Sequence, residues 1–174
     1  MPARARMFAA YNAWANARLY SAAAALSDAQ YREDRGAFFK SVHGTLNHIL
    51  TGDRIWMKRF TGQGEHPDRL DAILFEGFEE LREARLAEDA RIQAFAASLT
   101  PERLAGSFRY ETIETPKQKI ELLLSPALDH FFNHQTHHRG QAHSLLTQLT
   151  GSAPSLDLMH YLRETGLGAR ILES

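Results

Sequence analysis

The 174-residue chain contains no cysteine, which excludes disulfides and thiolate metal ligands. Any metal it holds must be bound through nitrogen or oxygen, and any thiol chemistry must use a thiol brought in by a substrate. The chain also lacks a dominant charge: 20 Lys and Arg stand against 21 Asp and Glu, a formal net charge of −1. There is neither the basic excess of a nucleic-acid footprint nor an acidic solvating tail. No segment approaches about 18 consecutive apolar residues, so no membrane span is expected. At the N-terminus Arg4 and Arg6 lead into Phe8, Ala9 and Ala10, but Tyr11, Asn12 and Asn16 interrupt any apolar run. No signal peptide is expected there. The expectation is a soluble, cytoplasmic protein with no nucleic-acid or membrane partner.

What is present is a normal globular balance, 44% hydrophobic and 24% charged, in a chain the size of one domain, taken as 1–174. Phe8, Tyr11, Ala15, Leu19, Ala22 and Leu26 recur at helical steps and predict a helix over 5–26, ended by Ser27 and Asp28. A second helix is predicted over 37–60, with Val42, Leu46, Ile49, Ile55 and Trp56 as its core face. Gly44 and Gly52 weaken it unless a neighbouring element needs close approach. Residues 61–67 read as a loop. A charged helix is predicted over 73–99, with Phe78, Leu81, Ile92, Phe95 and Leu99 inward and Arg85 and Glu88 on the same stripe; Arg85 and Asp89 read as an i,i+4 ion pair. Thr100 and Pro101 open a short element. Residues 107–113 alternate and are rich in β-formers, and are expected to pair with 117–123 as a hairpin around Thr115 and Pro116. Ser125 and Pro126 then cap a helix running to Thr150, stopped by Gly151, and a short helix follows over 155–164. Four long helices and one hairpin predict an all-α bundle with a small insertion.

The unusual residue is histidine. There are nine, and five of them, His130, His134, His137, His138 and His143, fall within residues 130–143. On a helix, residues three or four apart share a face, so two imidazoles at i and i+4 can grip one ion. His130 and His138 lie about 12 Å apart along the axis and cannot both do so. The feasible pairs are His130/His134, His134/His137 and His134/His138, and His134 belongs to each. A third ligand must come from another helix. His48, between Leu46 and Ile49 at the edge of an apolar face, is better placed than His43, although periodicity leaves both open. His66 sits in the loop and His160 in the terminal helix.

The run from Asn133 through His134, Gln135, Thr136, His137, His138, Arg139 and Gly140 to Gln141 closely resembles the signature of the DinB (damage-inducible) family of DinB/YfiT-like metalloenzymes. The segments Tyr11–Asn16, Thr45–Leu50, Asp53–Trp56 and Asp157–Glu164 also resemble it, so the likeness spans nearly the whole chain. The resemblance implies a four-helix bundle of up-down-down-up topology, usually a homodimer. It also implies one divalent metal, commonly zinc or nickel, on three histidines that fall at His48, His134 and His138.

Three neutral imidazoles leave at least one coordination position open, where a structural site would fill four. Such a site can activate water or a substrate thiol. Taken with the resemblance, this gives a first expectation of a metal-dependent enzyme that activates a low-molecular-weight thiol for S-transfer. The alternatives are a metal-dependent hydrolase and a non-catalytic, metal-binding stress-response protein. For hydrolysis, Asp53 and Asp129 are the nearest carboxylates in sequence, though each is off the ligand face. Asn47, Asn133 and Gln141 are candidates to orient the ligands. Asn12 and Asn16 read as interhelical hydrogen-bonding groups, and Arg139 with Gly140 as serving close packing and a charge partner.

Overall fold

The computed structural model describes residues 2–113 and 115–168. It is mostly helical. In chain order come α1 (Pro2–Ala23), α2 (Asp28–Arg32), α3 (Val42–Thr61), α4 (Phe78–Ser98) and α5 (Pro101–Ala105). These are followed by β1 (Ser107–Glu111), β2 (Lys119–Leu123), α6 (Leu124–Thr150) and α7 (Leu158–Thr165). The two strands form an antiparallel hairpin, with Ser107 opposite Leu123 and Glu111 opposite Lys119.

Several boundaries differ from the sequence reading for local chemical reasons. Ser27 does not end α1. It opens α2 with a reciprocal capping box to Gln30. The helix predicted from residue 37 starts at Val42, because the Ser41 side chain accepts the Gly44 N–H as its N-cap. The helix predicted from residue 73 starts at Phe78, since Leu74 and Phe75 give their N–H groups to the Asn47 side chain instead of to a helix. Ser125 and Pro126 lie inside the first turn of α6, which begins directly after β2 without a side-chain cap. Gly62 and Gly151 close α3 and α6 in the left-handed conformation that favours glycine.

The long helices α1, α3, α4 and α6 pack against one another, α1 and α3 each touching both α4 and α6. Their buried faces form two apolar clusters. One gathers Ala9, Met57, Phe60, Ile92 and Phe131. The other gathers Leu19, Leu46, Leu50, Leu81 and Leu145. In each helix a buried polar pair or single residue falls in sequence between its contributions to the two clusters: Asn12 and Asn16 in α1, Asp53 in α3, Arg85 and Asp89 in α4, Gln135 and Arg139 in α6. Helices α3 and α6, which carry His48, His134 and His138, are joined in this middle layer by the Gln135–Asp53 hydrogen bond.

Candidate metal centre

α3 delivers His48, and α6 delivers His134 and His138 one turn apart. Each offers one ring nitrogen, and the three nitrogens lie within 4.8 Å of one another. Among the described residues this is the group of histidines and carboxylates with the geometry to hold an ion. Gly52 makes the approach possible. A Cβ there would sit 2.8 Å from His134 Cε1, inside van der Waals contact. The close-approach requirement anticipated for Gly52 is thus met by the His134 ring.

The hydrogen bonds around the rings decide which nitrogens face inward. His48 Nδ1 lies 2.7 Å from the Leu70 carbonyl, which can only accept, so the proton is on Nδ1 and Nε2 carries the lone pair. His138 Nδ1 lies 2.9 Å from Gln141 Oε1, which leaves its Nε2 as a lone pair too. Those two Nε2 atoms face each other at 3.1 Å. Two lone pairs at that separation repel unless a cation lies between them. Two imidazole nitrogens on a tetrahedral zinc, at about 2.05 Å each, would be about 3.3 Å apart. His134 Nδ1 is buried and has no hydrogen-bond partner among the described residues.

A proton is a poor substitute for the ion. Burial pushes the pKa of His48 down to about 4, against the pull of the Leu70 carbonyl. Burial, with the neighbouring imidazoles His138 and His48 adding to it, pushes His134 down to about 3. His138 is lowered as well, again chiefly by burial. Neutral imidazoles are what a divalent transition metal requires, and two of the three, His48 and His138, keep an oxygen against the nitrogen that faces away from the cluster. The donor set therefore fits the group.

The remaining candidates separate clearly. His130 sits one turn along α6, with its ring 5.9 Å from that of His134 and 5.0 Å from that of Trp56. His137 is exposed at the rim, facing Gln141. His43 contacts the Phe75 carbonyl and packs on Tyr31. His160 lies against Trp14 and Glu164, and His66 lines a separate cleft beside the hairpin.

Neither sequence candidate for a general base reaches the cluster. Asp53 is wholly buried, and its two oxygens accept from Arg85, at 2.5 Å, and Gln135, at 2.8 Å. Asp129 is exposed and paired with Arg4. Of the orienting candidates, Gln141 touches a ligand, whereas Asn47 is spent on the 74–75 backbone and Asn133 lines a cleft between α1 and α6. Gly140 has open space where its Cβ would be, so no close packing requires it. Sequence reasoning missed Leu70, whose contribution is a backbone carbonyl, and Phe39, whose ring stacks 3.7 Å from that of His48. No side-chain pattern signals the first; the adjacent pair Phe38 and Phe39 ahead of α3 was the only trace of the second.

The three clustered histidines open into a cleft of about 380 Å³ walled by Phe38, Phe39, Leu70, His137 and Gln141. Against this geometry the family comparison is decisive, because the DinB family model matches residues 1–170. The chain belongs to the DinB family. It is also 26% identical, over 160 residues, to Protein DinB of Bacillus subtilis (strain 168), an alignment that covers 87% of this chain and 90% of that protein. In this DinB-family chain, the residues that carried the resemblance, from Asn133 to Gln141, are those that place two of the three clustered imidazoles.

Proposed function

We propose that His48, His134 and His138 hold one divalent transition metal, zinc or nickel, and that the protein uses it to activate a low-molecular-weight thiol for S-transfer. The observation that carries this reading is the open side of the tri-imidazole cluster: three nitrogen donors, no fourth ligand among the described residues, and a cleft of about 380 Å³ above them. A bound divalent ion would supply a positive charge that lowers the pKa of a coordinated thiol or water. The protein's own groups prepare for it. Leu70 O and Gln141 Oε1 fix two rings so that their Nε2 atoms converge. Phe39 covers one face of His48 and limits water there. In the transfer, sulfur forms the new bond to the electrophilic carbon, the leaving group departs with its bonding pair, and the thiol proton passes to solvent at the open cleft.

The absence of a carboxylate from the cleft lining among the described residues favours a thiol over water as the activated group, because hydrolysis would call on a nearby base. A cleft of about 380 Å³ has room for a small ligand, which favours turnover over storage. We also read α1, α3, α4 and α6 as a four-helix bundle of up-down-down-up topology. The order in which each helix crosses the two apolar clusters supports this: α1 and α6 run from the first to the second, α3 and α4 from the second to the first. A cytoplasmic homodimer is the expected assembly.

Elemental analysis of untagged protein beside His134→Ala tests the site. We expect about one ion per chain in the first and under about a tenth of that in the second, a three-ligand site losing its shared member. Equal metal in both would refute the site. Conjugation of model electrophiles with several cellular thiols, with metal-loaded protein, then tests the reaction; no thiol-dependent product with any of them would leave the transferase reading without support.

A further inference from the structure

The cleft over the cluster has an unusual wall. Residues 35–41 form a tight turn. Lys40 N donates to the Ala37 carbonyl at 2.8 Å, Arg35 N to the Lys40 carbonyl at 2.9 Å, and Lys40 takes a left-handed φ of 66°. Gly44 seats this turn on α3, since a Cβ there would collide with the Phe39 carbonyl oxygen. The result is that Phe39 lies flat on His48, while Phe38 stands edge-on to Phe39 and is 84% exposed as a residue. Leu70, the residue whose carbonyl fixes His48, is 42% exposed beside them. A locally ordered turn thus holds a large apolar ring in water at the mouth of a metal site.

The charges are equally informative. Among the described residues the lining consists of Phe38, Phe39, Leu70, Gln141 and imidazoles, with no Asp, Glu, Lys or Arg. This is not the character of the whole surface. The cleft beside the hairpin, about 430 Å³, is lined by Lys58, Arg59, Arg109 and Lys117 together with Asp68 and Glu111. A ligand recognised through a carboxylate, phosphate or ammonium group would find its ion-pair partners there and not above the histidines.

We infer that the ligand of the metal site carries an uncharged, apolar group, an aryl ring or a branched alkyl chain, next to its metal-binding atom, and that Phe38, Phe39 and Leu70 form the subsite that receives it. This inference rests on the tri-histidine metal reading and deepens it; it does not depend on the ligand being a thiol. Covering Phe38 removes apolar surface from water, and an aryl group on the ligand is worth about tenfold in affinity at that contact.

The test uses cobalt(II)-loaded protein, whose visible absorption reports the open coordination position, and three probes with the same metal-binding head: acetohydroxamate, benzohydroxamate and the carboxylate-bearing succinic monohydroxamate. We expect benzohydroxamate to bind about tenfold more tightly than acetohydroxamate, and the carboxylate probe no more tightly than acetohydroxamate. Phe38→Ser should keep one cobalt per chain and lose most of the benzohydroxamate advantage, and Phe38→Leu should retain part of it. Equal binding of the aryl and methyl probes overturns the subsite, as does preference for the carboxylate probe or an unchanged ratio in Phe38→Ser. A sedimentation coefficient altered by Phe38→Ser would assign the ring to an interface with a second copy and overturn the subsite as well. If acetohydroxamate leaves the cobalt spectrum unmoved, the open metal face itself is wrong, an outcome distinct from loss of the aryl preference.

Discussion

At the scale of single residues, the candidate site depends on one atom that is missing. Gly52 has no Cβ, and the space goes to the His134 ring. In Gly52→Ala the new methyl would meet a ring atom at 2.8 Å. α3 is a continuous helix at that point and cannot yield, so the ring must turn. Metal affinity should fall on the order of tenfold, the scale of a disturbed ligand-orienting contact, while the helix content is kept. Competition with a chromogenic chelator measures this, and wild-type affinity in the variant would show that the ring is free to adjust. The imidazoles also set a pH dependence in the metal-free protein. His48 and His134 have folded pKa values of about 4 and about 3, below the ordinary 6.5. Between these values the unfolded chain binds protons that the folded chain does not, so stability rises with pH. The contribution is present above about pH 6.5 and is lost as the pH falls toward 4. Asp53, pushed up to about 6 by burial against the pull of Arg85, acts in the opposite sense over part of the range, but it is one group against two. Urea titrations of apoprotein from pH 7.5 to 4.5 should therefore give a falling midpoint, and a flat or rising one would contradict the neutral-imidazole description.

At the scale of elements, α3 is where local chemistry and site geometry coincide. Ser41 accepts the Gly44 N–H at 3.1 Å and so starts the helix, while its own N–H reaches the Phe39 carbonyl at 2.7 Å and so fixes the turn that covers His48. Ser41→Ala should lower stability by about 1 kcal/mol, the usual value of an N-cap side chain, read from the urea midpoint. No change would mean that the Thr45 hydroxyl bond to the Ser41 carbonyl suffices to hold the start. The elements also show what was legible in the sequence. His134 was the candidate that spacing singled out, because it belongs to every feasible pair of imidazoles on one face of the helix. The four long helices and the hairpin were legible through periods of 3.6 and 2, and Thr100 with Pro101 through cap chemistry. The start of α4 was not. It is decided by Asn47, some thirty residues earlier, whose side chain takes the 74 and 75 N–H groups. His48 and His138 needed the family pattern, since choosing among neighbouring imidazoles depends on how α3 and α6 face each other.

At the scale of the whole molecule, the polar layer between the two apolar clusters is a chain of bonds through all four long helices. Arg139 donates to Asn12, Asn12 and Asn16 donate to Asp89, Arg85 pairs with Asp89 and Asp53, and Gln135 donates to Asp53. The partners are separated by up to 127 residues, so no sequence period reveals them. The reading of Arg85 and Asp89 as an ion pair was correct but saw one link of this chain. Its formal charges balance: two arginines against two aspartates, all buried. Burial alone would disfavour the Arg85 charge, but Asp89 and Asp53 more than offset that and hold its pKa above the ordinary value. Arg85→Met removes the cation shared by both carboxylates. It should cost about 3–5 kcal/mol at neutral pH, because two buried acids are then left without it. The deficit should depend on pH in a particular direction. Without Arg85 the folded pKa of Asp53 rises further from the unfolded value near 3.8, so the folded variant takes up protons that the unfolded chain does not. Its stability relative to wild type should accordingly recover as the pH falls from 8 to 5. Parallel urea titrations of the two proteins across that range would show the gap narrowing toward acid, and a gap that stayed constant would mean that the carboxylates are neutralised by something other than Arg85.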